Sequence, residues 1–212
     1  MRSLYLASAV VVVATVAACG GGHRPTTVMI PPVLDLQQYG AAAALTGFTA
    51  ENAKGTLHEM ATRRFSERVL GASRAVEILE LGDAAPLLKA SGETTFGPAT
   101  AMLVGTTRNV PVVFAGHLKV SNVKPSGGIT GFGIPHLEAT VSVDLTVALY
   151  STKSGGTLWR SGANASEKVG SLAVVGGEPS FSAKDPNAAY GRLVDRLVAV
   201  VTRDLYPTYE RR

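Results

Sequence analysis

Few of the side chains that usually carry out chemistry in proteins occur in this sequence at useful spacings. No two of its four histidines are separated as metal ligands usually are, and neither HExxH nor CxxC occurs. The motif GxSxG, which exposes a nucleophilic serine after a strand, is also missing. His58 is predicted to lie beside the apolar stripe of a helix, and His117 is predicted to face outward from a strand. We therefore predict no metal ligand and no cofactor.

Three acidic residues that lie close together, Glu77, Glu80 and Asp83, could supply the carboxylates of a glycan-cleaving site. Residues 75–81 are predicted to form a short strand, in which Glu77 and Glu80 fall on opposite faces. We favour the interpretation that these acids are solvated, so no catalytic residue is predicted and the chain is not expected to be an enzyme. An enzyme that acts on glycan stays as an alternative.

Cys19 is the only cysteine in 212 residues, and the residues around it are informative. Arg2 is the one charge before an uncharged stretch, residues 4–18, which is shorter than the roughly 20 residues that span a membrane. A positive start, a short apolar segment and small residues at its end are typical of a secretory signal peptide. Val16, Ala17, Ala18 and Cys19 together resemble the lipobox of bacterial lipoproteins.

This resemblance implies that residues 1–18 are removed and that Cys19 becomes an acylated N-terminus. In that family the cysteine carries a diacylglycerol thioether and usually an amide-linked chain such as palmitate, and several chains anchor far more firmly than one. Residues 19–27 form a flexible tether. In that family Asp after the cysteine retains the protein at the inner membrane; Gly20 stands there instead, so we expect the outer membrane, facing the periplasm. The alternative is an ordinary signal peptide with an incidental free thiol.

Size and composition predict one folded domain, residues 28–206, followed by a C-terminal tail, residues 207–212. The chain is 46% hydrophobic and 17% charged, which is typical of a globular protein. With one cysteine it can form no internal disulfide, so its core alone must hold the fold. The net charge of +4 comes from scattered residues, and no basic stripe interleaved with aromatics is present, so nucleic acid is not expected as a partner.

Helices are predicted where apolar residues recur at helical spacing. Residues 53–70 form the first helix and residues 82–92 and 97–105 form two short ones, with Asp83 as a cap and Pro98 in a first turn. The last helix begins after Asp185, with Pro186 at its first position. Its apolar stripe comprises Leu193, Leu197, Val200, Val201 and Leu205.

Strands are predicted for residues 26–36, with a bend or end at Pro31, and for residues 110–123. Residues 37–52 are expected to be an irregular connector. The clearest alternation occurs in residues 137–152, where apolar and polar side chains alternate as they do in an antiparallel sheet with one buried face. A turn at residues 153–156 leads to a return strand. The fold class is therefore α/β (α+β): one domain with a mixed, largely antiparallel sheet and helices packed on it.

Two glycine-rich segments, residues 127–135 and 170–181, contain apolar residues without an obvious cover. The first does not fit a phosphate-binding loop, since a strand and not a helix follows it. We expect loops folded back on the domain, with a contact surface for a partner or lipid as the alternative. The residues of such a surface are Ile129, Phe132, Ile134, Val174, Val175 and Phe181.

The order of elements behind the lipobox resembles the superfamily of the CsgG-type curli secretion lipoproteins. That superfamily includes the N-terminal domain of TolB and the lipoprotein activators of penicillin-binding proteins. The likeness rests on residues 28–40, the helix at residues 56–69 and the hairpin at residues 141–166. Ser151 or Thr152 stands where an acidic turn residue is common in the family.

We therefore expect a lipid-anchored, non-enzymatic periplasmic module that binds an envelope protein partner. The alternative is a subunit of an oligomeric export assembly, which would require self-association.

Overall fold

A computed structural model of the chain describes residues 27–53, 56–73, 75–121, 124–129, 135–175, 178–183 and 186–211. Within these ranges, residues 124–129, 135–139, 169–175, 178–183 and 186–189 are described by their backbone. The strands are β1 Thr27–Ile30, β2 Ala42–Leu45, β3 Thr49–Glu51, β4 Glu77–Glu80, β5 Val112–Val120, β6 Lys124–Ile129, β7 Pro135–Ser151, β8 Thr157–Val175, β9 Glu178–Ala183 and β10 Thr208–Arg211. The helices are α1 Leu57–Ala72, α2 Ala85–Ser91, α3 Pro98–Arg108 and α4 Pro186–Val201, with 3-10 turns at Leu36–Tyr39 and Arg203–Leu205. None of the helices in the described part of the chain has the length and apolar character to cross a membrane.

Eight strands form one sheet in the order β4-β2-β5-β7-β8-β9, with β3 beside β5 and β6 beside β7. β2 runs parallel to β4 and β5, and β3 runs parallel to β5. Every pairing that involves β7 or β8 is antiparallel. The expected fold class, a mixed and largely antiparallel sheet with helices packed on it, is confirmed.

The larger core lies between one face of the sheet and helices α1 and α4. α1 places Leu57, Ala61, Phe65 and Val69 in this core, each at most 4% exposed, as its spacing predicts. The ring of Phe65 packs on the ring of Phe114 in β5, with centroids 5.3 Å apart. On β7 the predicted alternation is confirmed, because its inward positions are all buried: Val141, Val143, Leu145, Val147 and Leu149.

α4 buries a wider stripe than the sequence predicts. Leu193, Leu197 and Val201 are buried as expected, whereas Val200 is 46% exposed. Val194 and Val198 occupy the inner positions instead, because a helix packed on a sheet buries two adjacent rows of side chains. Pro186 is the first helical residue as predicted, and the expected cap Asp185 lies outside the described residues.

The second core is smaller and lies on the opposite face of the sheet, under α2 and α3. Its buried residues are Ala44, Ala101, Val104, Val110, Val113, Ala115, Ala148 and Tyr150. Both short helices occur where they are predicted, with Pro98 at the start of α3 and Asp83 accepting a hydrogen bond from Ala85 N at 3.1 Å. These helices cover part of this face, and the remainder is polar.

The irregular connector expected at residues 37–52 is wrong, because β2 and β3 lie within it. β2 is the strand between β4 and β5, and Ala43 and Ala44 are 0% exposed in the two different cores. Alanine is depleted in strands by intrinsic preference. Here its small side chain fits between helices on both faces, so packing decides the conformation.

The two glycine-rich segments are not simply loops folded back on the domain, and that expectation is corrected. The first continues β6 into β7, and the second continues β8 into β9, with antiparallel pairing on both sides. β7 pairs with β5 only over Val143–Ser151, nine of its 17 residues, so the rest extends beyond β5. We call β6, β9 and residues 135–140 and 168–175 between them the arm.

β1 and β10 form a separate antiparallel pair, which we call the ribbon. β1 ends at Ile30, directly before Pro31 as predicted, while residues 208–211 of the expected C-terminal tail form β10. Leu34 N donates to Asp204 O at 2.9 Å, and Tyr206 Oη donates to Arg68 O at the end of α1 at 2.8 Å. Asp204 also accepts a hydrogen bond from Trp159 near the start of β8, so the segments that flank the ribbon attach at the turn end of β7 and β8, and the arm occupies their other end.

Candidate functional site

A groove lies where the parallel strands β2 and β4 end. Leu45 pairs with Glu80 at the end of both strands, and ligands of open α/β sheets commonly bind outside such carboxyl ends. The groove is a hollow of about 960 Å³ that opens to solvent. Its lining residues are Gly47, Phe48, His58, Glu59, Thr62, Arg63, Glu80, Gly82 and Asp83.

Close backbone contacts give the groove its floor. Gly47 N donates to Gly82 O at 2.6 Å, and a Cβ on Gly47 would lie 2.9 Å from that oxygen, so glycine is required there. Thr62 Oγ1 accepts a hydrogen bond from Phe48 N and donates one to His58 O, both at 2.8 Å. The hydroxyl of Thr62 thereby joins the loop after β2 to the first turns of α1.

Of the three acids considered in the sequence, Glu77, Glu80 and Asp83, the structure brings two together. Glu80 and Asp83 both line the groove, together with Glu59, whereas Glu77 lies at the opposite end of β4. Glu80 accepts a hydrogen bond from Ser66 Oγ at 2.5 Å, and Asp83 accepts one from Ala85 N, although the N-cap of α2 is Ala84 and not Asp83 as predicted. Both carboxylates therefore have structural roles, and no group of three or more His, Cys, Asp or Glu side chains among the described residues could hold a metal.

His117 lies on the polar part of the sheet, where it is 45% exposed as predicted. Its Nδ1 is 2.9 Å from Thr49 Oγ1, and its Nε2 is 3.9 Å from a carboxylate oxygen of Glu51. Lys119 Nζ lies 3.6 Å from the same oxygen of Glu51. Paired cross-strand groups of this kind order a polar surface and suit hydrogen bonding to a polar partner or water.

A shallow hollow of about 410 Å³ separates this polar surface from the loop before α3. Phe96 forms its wall and packs on Tyr150 with ring centroids 5.4 Å apart. His117, Thr146 and Arg160 contribute polar groups to its lining. Thr49, whose hydroxyl lies 2.9 Å from Nδ1 of His117, also lines the hollow.

Four of the six residues predicted for partner contact belong to the arm. Ile129 ends β6, Val174 and Val175 end β8, and Phe181 is in β9. In the register of β8 and β9, Phe181 pairs with Leu172, and Val174 lies two residues along the same strand. Phe132 and Ile134 lie outside the described residues, as does Cys19.

Neither outer strand of the arm, β6 or β9, has a second neighbour within the described part of the chain. Each contains a proline, Pro125 and Pro179 respectively, a residue that sheets tolerate at their edges because it has no N–H to donate. These prolines interrupt the outward row of backbone donors and protect the edges from uncontrolled strand addition.

Sequence reasoning missed the arm and the groove for different reasons. Gly176 and Gly177 separate two short runs, which is a hairpin signal, so β8 and β9 could have been anticipated. The groove has no such local signal. His58 and Glu59 reach Glu80 only because β2 pairs with β4 and α1 follows β3.

No protein-family model and no curated protein matches the chain. Among solved structures it is similar to PelC from Paraburkholderia phytofirmans, described as a dodecamer, at 14% identity over 86% of this chain and 97% of that one, with a TM-score of 0.43. It is also similar to the lipoprotein GNA1162 from Neisseria meningitidis at 14% identity, covering 60% and 83% of the two chains, with a TM-score of 0.38. A third similar structure is the hypothetical protein CT253 from Chlamydia trachomatis, at 11% identity over 76% of this chain and 93% of that one, with a TM-score of 0.46. At these identities and TM-scores the likenesses place the chain in no family, and the resemblance to the CsgG-type proteins stays a prediction.

Proposed function

We propose that this chain is a lipid-anchored, non-enzymatic module of the bacterial cell envelope that binds a protein partner through its arm. The observation that carries the proposal is the four-stranded arm, which lies at the end of β7 and β8 away from the ribbon. β1 is the first described strand after the lipobox, so anchor and arm belong to opposite ends of the sheet.

The anchor is supported by the sequence before β1. Val16, Ala17, Ala18 and Cys19 resemble a lipobox, and Cys19 precedes Thr27 by eight residues. Eight residues of extended chain span at most about 28 Å, which keeps the ribbon within that distance of an acylated cysteine. The outer membrane, with the domain in the periplasm, is the location we propose because Gly20 follows the cysteine.

The contact surface is supported by the position and composition of the arm. β8 has 19 residues, about 60 Å of antiparallel strand, so its far end is held well away from an anchor at the other end. Of the residues predicted for partner contact, Ile129, Val174, Val175 and Phe181 belong to the strands of the arm. Since prolines interrupt both edges, we propose that the partner contacts side chains on a face of the arm.

The experiment is site-specific photo-cross-linking in cells. A photoreactive residue in place of Phe181 is expected to cross-link one envelope protein, and the same residue in place of Met102 is expected not to. Met102 is a matched control because it is an apolar side chain, 41% exposed, on α3 outside the arm. Identical cross-linking patterns at the two positions would contradict partner binding through the arm.

The anchor needs its own measurement. Cys19→Ala is expected to move the protein from the membrane fraction to the soluble periplasmic fraction, whereas the wild-type chain floats with membranes. Retention of Cys19→Ala in membranes would reject lipid anchoring and leave the arm experiment unaffected.

A subunit of an oligomeric export assembly is the second candidate. Among the described strands β4 and β9 end the main path of the sheet, and contact between two such different edges of successive copies is heterologous, which closes rings when the rotation permits. The mass of the detergent-extracted mature protein decides between the tethered binding module and the subunit of an oligomeric assembly. A ring-sized particle favours this candidate, and the mass of one chain favours the tethered module.

The groove provides the one observation that favours an enzyme acting on glycan, since Glu59, Glu80 and Asp83 all line it. A glycosidase mechanism needs one carboxyl group as acid and a second as base or nucleophile. The double variant Glu59→Gln/Asp83→Asn is expected to preserve the cellular role if the protein is a binding module. Loss of that role with a folded, membrane-bound protein would favour the enzyme.

A further inference from the structure

The ribbon is exposed to solvent along most of its length, and one of its two faces is rich in large side chains. Met29 pairs directly with Tyr209, and Thr27 pairs with Arg211, so these four residues share one face of the two strands. Met29 is 59% exposed and Tyr209 is 66% exposed. We call Thr27, Met29, Tyr209 and Arg211 the outer face of the ribbon.

Exposed apolar side chains are concentrated at this end of the molecule. Nine large hydrophobic residues in the described part of the chain are exposed, and four of them lie in or just after the ribbon: Val28, Met29, Val33 and Tyr209. Val33, three residues after β1, is the most exposed of all at 79%. Single exposed residues need no explanation, whereas a group beside a chain terminus indicates a contact surface.

The one charged side chain on the outer face is positive. Arg211 belongs to this face, while Arg203 precedes β10 in a 3-10 turn and is exposed. Glu210 pairs with Val28 on the other face of the ribbon, and Asp35 accepts a hydrogen bond from Gln37 N. The outer face thus combines a tyrosine, a methionine and an arginine, a combination suited to the boundary between lipid headgroups and acyl chains.

We propose that the outer face of the ribbon rests on the surface of the lipid bilayer, with Tyr209 and Met29 at the headgroup level and Arg211 against lipid phosphates. The proposal rests on the lipid anchor proposed above. Because Cys19 precedes Thr27 by eight residues, an acylated Cys19 holds the ribbon within about 28 Å of the membrane. Because the tether holds the ribbon near the membrane, its effective concentration at the lipid surface is high. A small contact surface is therefore sufficient for binding.

This contact gives the anchored domain an orientation. The segments that flank the ribbon are joined to the body, since Leu34 N donates to Asp204 O and Tyr206 Oη donates to Arg68 O. With the ribbon on the bilayer, β7 and β8 lead away from the membrane from their turn end. The arm then projects into the periplasm, where an envelope partner can reach it.

The test uses the lipidated mature protein in vesicles of phosphatidylethanolamine and phosphatidylglycerol. Cys19 is the only natural cysteine, so Met29→Cys introduces the single thiol that an environment-sensitive fluorophore can label. Glu59→Cys is the matched control, since Glu59 is exposed in the first turn of α1, whose last turn contacts Tyr206. Lipids with a quencher near the headgroup are expected to quench the Met29→Cys label strongly and the Glu59→Cys label little. Iodide in the water is expected to show the reverse order.

Each other outcome has a distinct meaning. Equal quenching of the two labels by lipid, with the protein still bound to vesicles, would overturn the ribbon contact and leave the anchor intact. Labelling of the unaltered chain at Cys19 would show a free thiol and reject the anchor itself. Energy transfer between labelled copies that persists on dilution with excess lipid would show that a second copy covers the outer face, which also overturns the proposal.

A second variant tests the same contact without moving the label. In the Met29→Cys protein, Tyr209→Ser combined with Arg211→Glu is expected to reduce quenching by the lipid probe toward that of the Glu59→Cys control. Both residues are exposed, so the unfolding transition is expected to stay unchanged. Undiminished quenching in this variant counts against the assigned roles of Tyr209 and Arg211.

Discussion

Trp159 donates a hydrogen bond from its indole Nε1 to Oδ2 of Asp204 at 3.1 Å, which joins the start of β8 to the turn after α4. The main-chain oxygen of Asp204 accepts a second hydrogen bond, from Leu34 N. The indole ring also meets Phe114 edge to face, with centroids 6.2 Å apart. Asp204 therefore links the sheet, the end of α4 and the segment that follows the ribbon.

Asp204→Ala is expected to destabilise the domain, because it removes the carboxylate that receives the half-buried Trp159 N–H. A hydrogen bond to a charged group contributes about 1.5–3 kcal/mol, so a loss in that range is expected. Trp159 is the only tryptophan, and its fluorescence therefore reports the change directly during urea unfolding. Asp204→Asn, which keeps an acceptor oxygen, is the control and should lose less. An unaltered midpoint and emission in Asp204→Ala would show that the contact contributes nothing.

Gly116→Ala is expected to destabilise the domain through overpacking. A Cβ at this position in β5 would lie 2.5 Å from the ring of Phe48, which is 2% exposed and contacts Phe65 with centroids 5.3 Å apart. Either the ring or the strand must therefore shift, and overpacking of this kind costs about 1–3 kcal/mol.

The control for Gly116 is Gly191 in α4, where a Cβ would meet nothing within 4 Å. Gly191→Ala is expected to stabilise the domain by up to about 1 kcal/mol, because alanine is the better helix former. Opposite signs for the two substitutions in denaturant unfolding support the packing around Phe48. A neutral Gly116→Ala would mean that Phe48 can move.

Much of the fold could be predicted where one face of an element is buried. In β7, Val141, Val143 and Leu145 alternate with Ser142, Asp144 and Thr146, and the pattern alone identifies the strand and its buried face. α1 shows its period equally clearly through Ala61 and Phe65. In such elements the structure results from burial of a single face, and the spacing of apolar residues in the local sequence shows which face that is.

Elements that depend on distant neighbours could not be predicted in this way. β2 is a strand because Ala43 and Ala44 are enclosed on both faces by segments that come later in the chain. The ribbon pairs residues 27–30 with residues 208–211, and no local pattern connects the two ends. Likewise, Glu59 and Glu80 come together at the groove only through strand pairing and the path of α1.

Glu93 is expected to make stability depend on acid pH. Its carboxylate accepts hydrogen bonds from Oγ1 and N of Thr100, at 2.5 and 3.2 Å, and the hydroxyl bond is the main reason that the pKa of Glu93 is lowered. A carboxylate with a lowered pKa stabilises the fold above its unfolded-state pKa of about 4.3, and this stabilisation is lost as the pH falls through the lower, folded pKa.

The measurement compares urea unfolding of the wild-type chain and of Glu93→Gln from about pH 6 to about pH 3. The wild-type protein is expected to lose more of its free energy of unfolding over this range than the variant does. Glu210→Gln, which removes an equal charge from the exposed strand β10, should follow the wild-type curve. Parallel curves for the wild type and Glu93→Gln would disprove a role for the contact with Thr100.

Thr152→Val is expected to destabilise the turn end of β7 and β8. Thr152 is 7% exposed, its Oγ1 donates to Val110 O, and its N donates to Pro111 O at 3.0 Å. Valine has nearly the same shape but no hydroxyl, so the buried oxygen of Val110 loses a donor, at a cost of about 1–3 kcal/mol. The backbone of α3 packs tightly on Thr152, since a Cβ added to Gly105 would lie 2.7 Å from Cβ of Thr152.

Thr152→Ser separates the hydrogen bond from the packing at this position. Serine keeps the hydroxyl and loses only a methyl group, so it is expected to retain more of the free energy of unfolding than valine does. Denaturant unfolding of both variants in the same buffer makes the comparison. If Thr152→Val is as stable as the wild-type protein while Thr152→Ser is less stable, then the methyl group holds this turn against the segment before β5. The hydrogen bond to Val110 O would then contribute nothing.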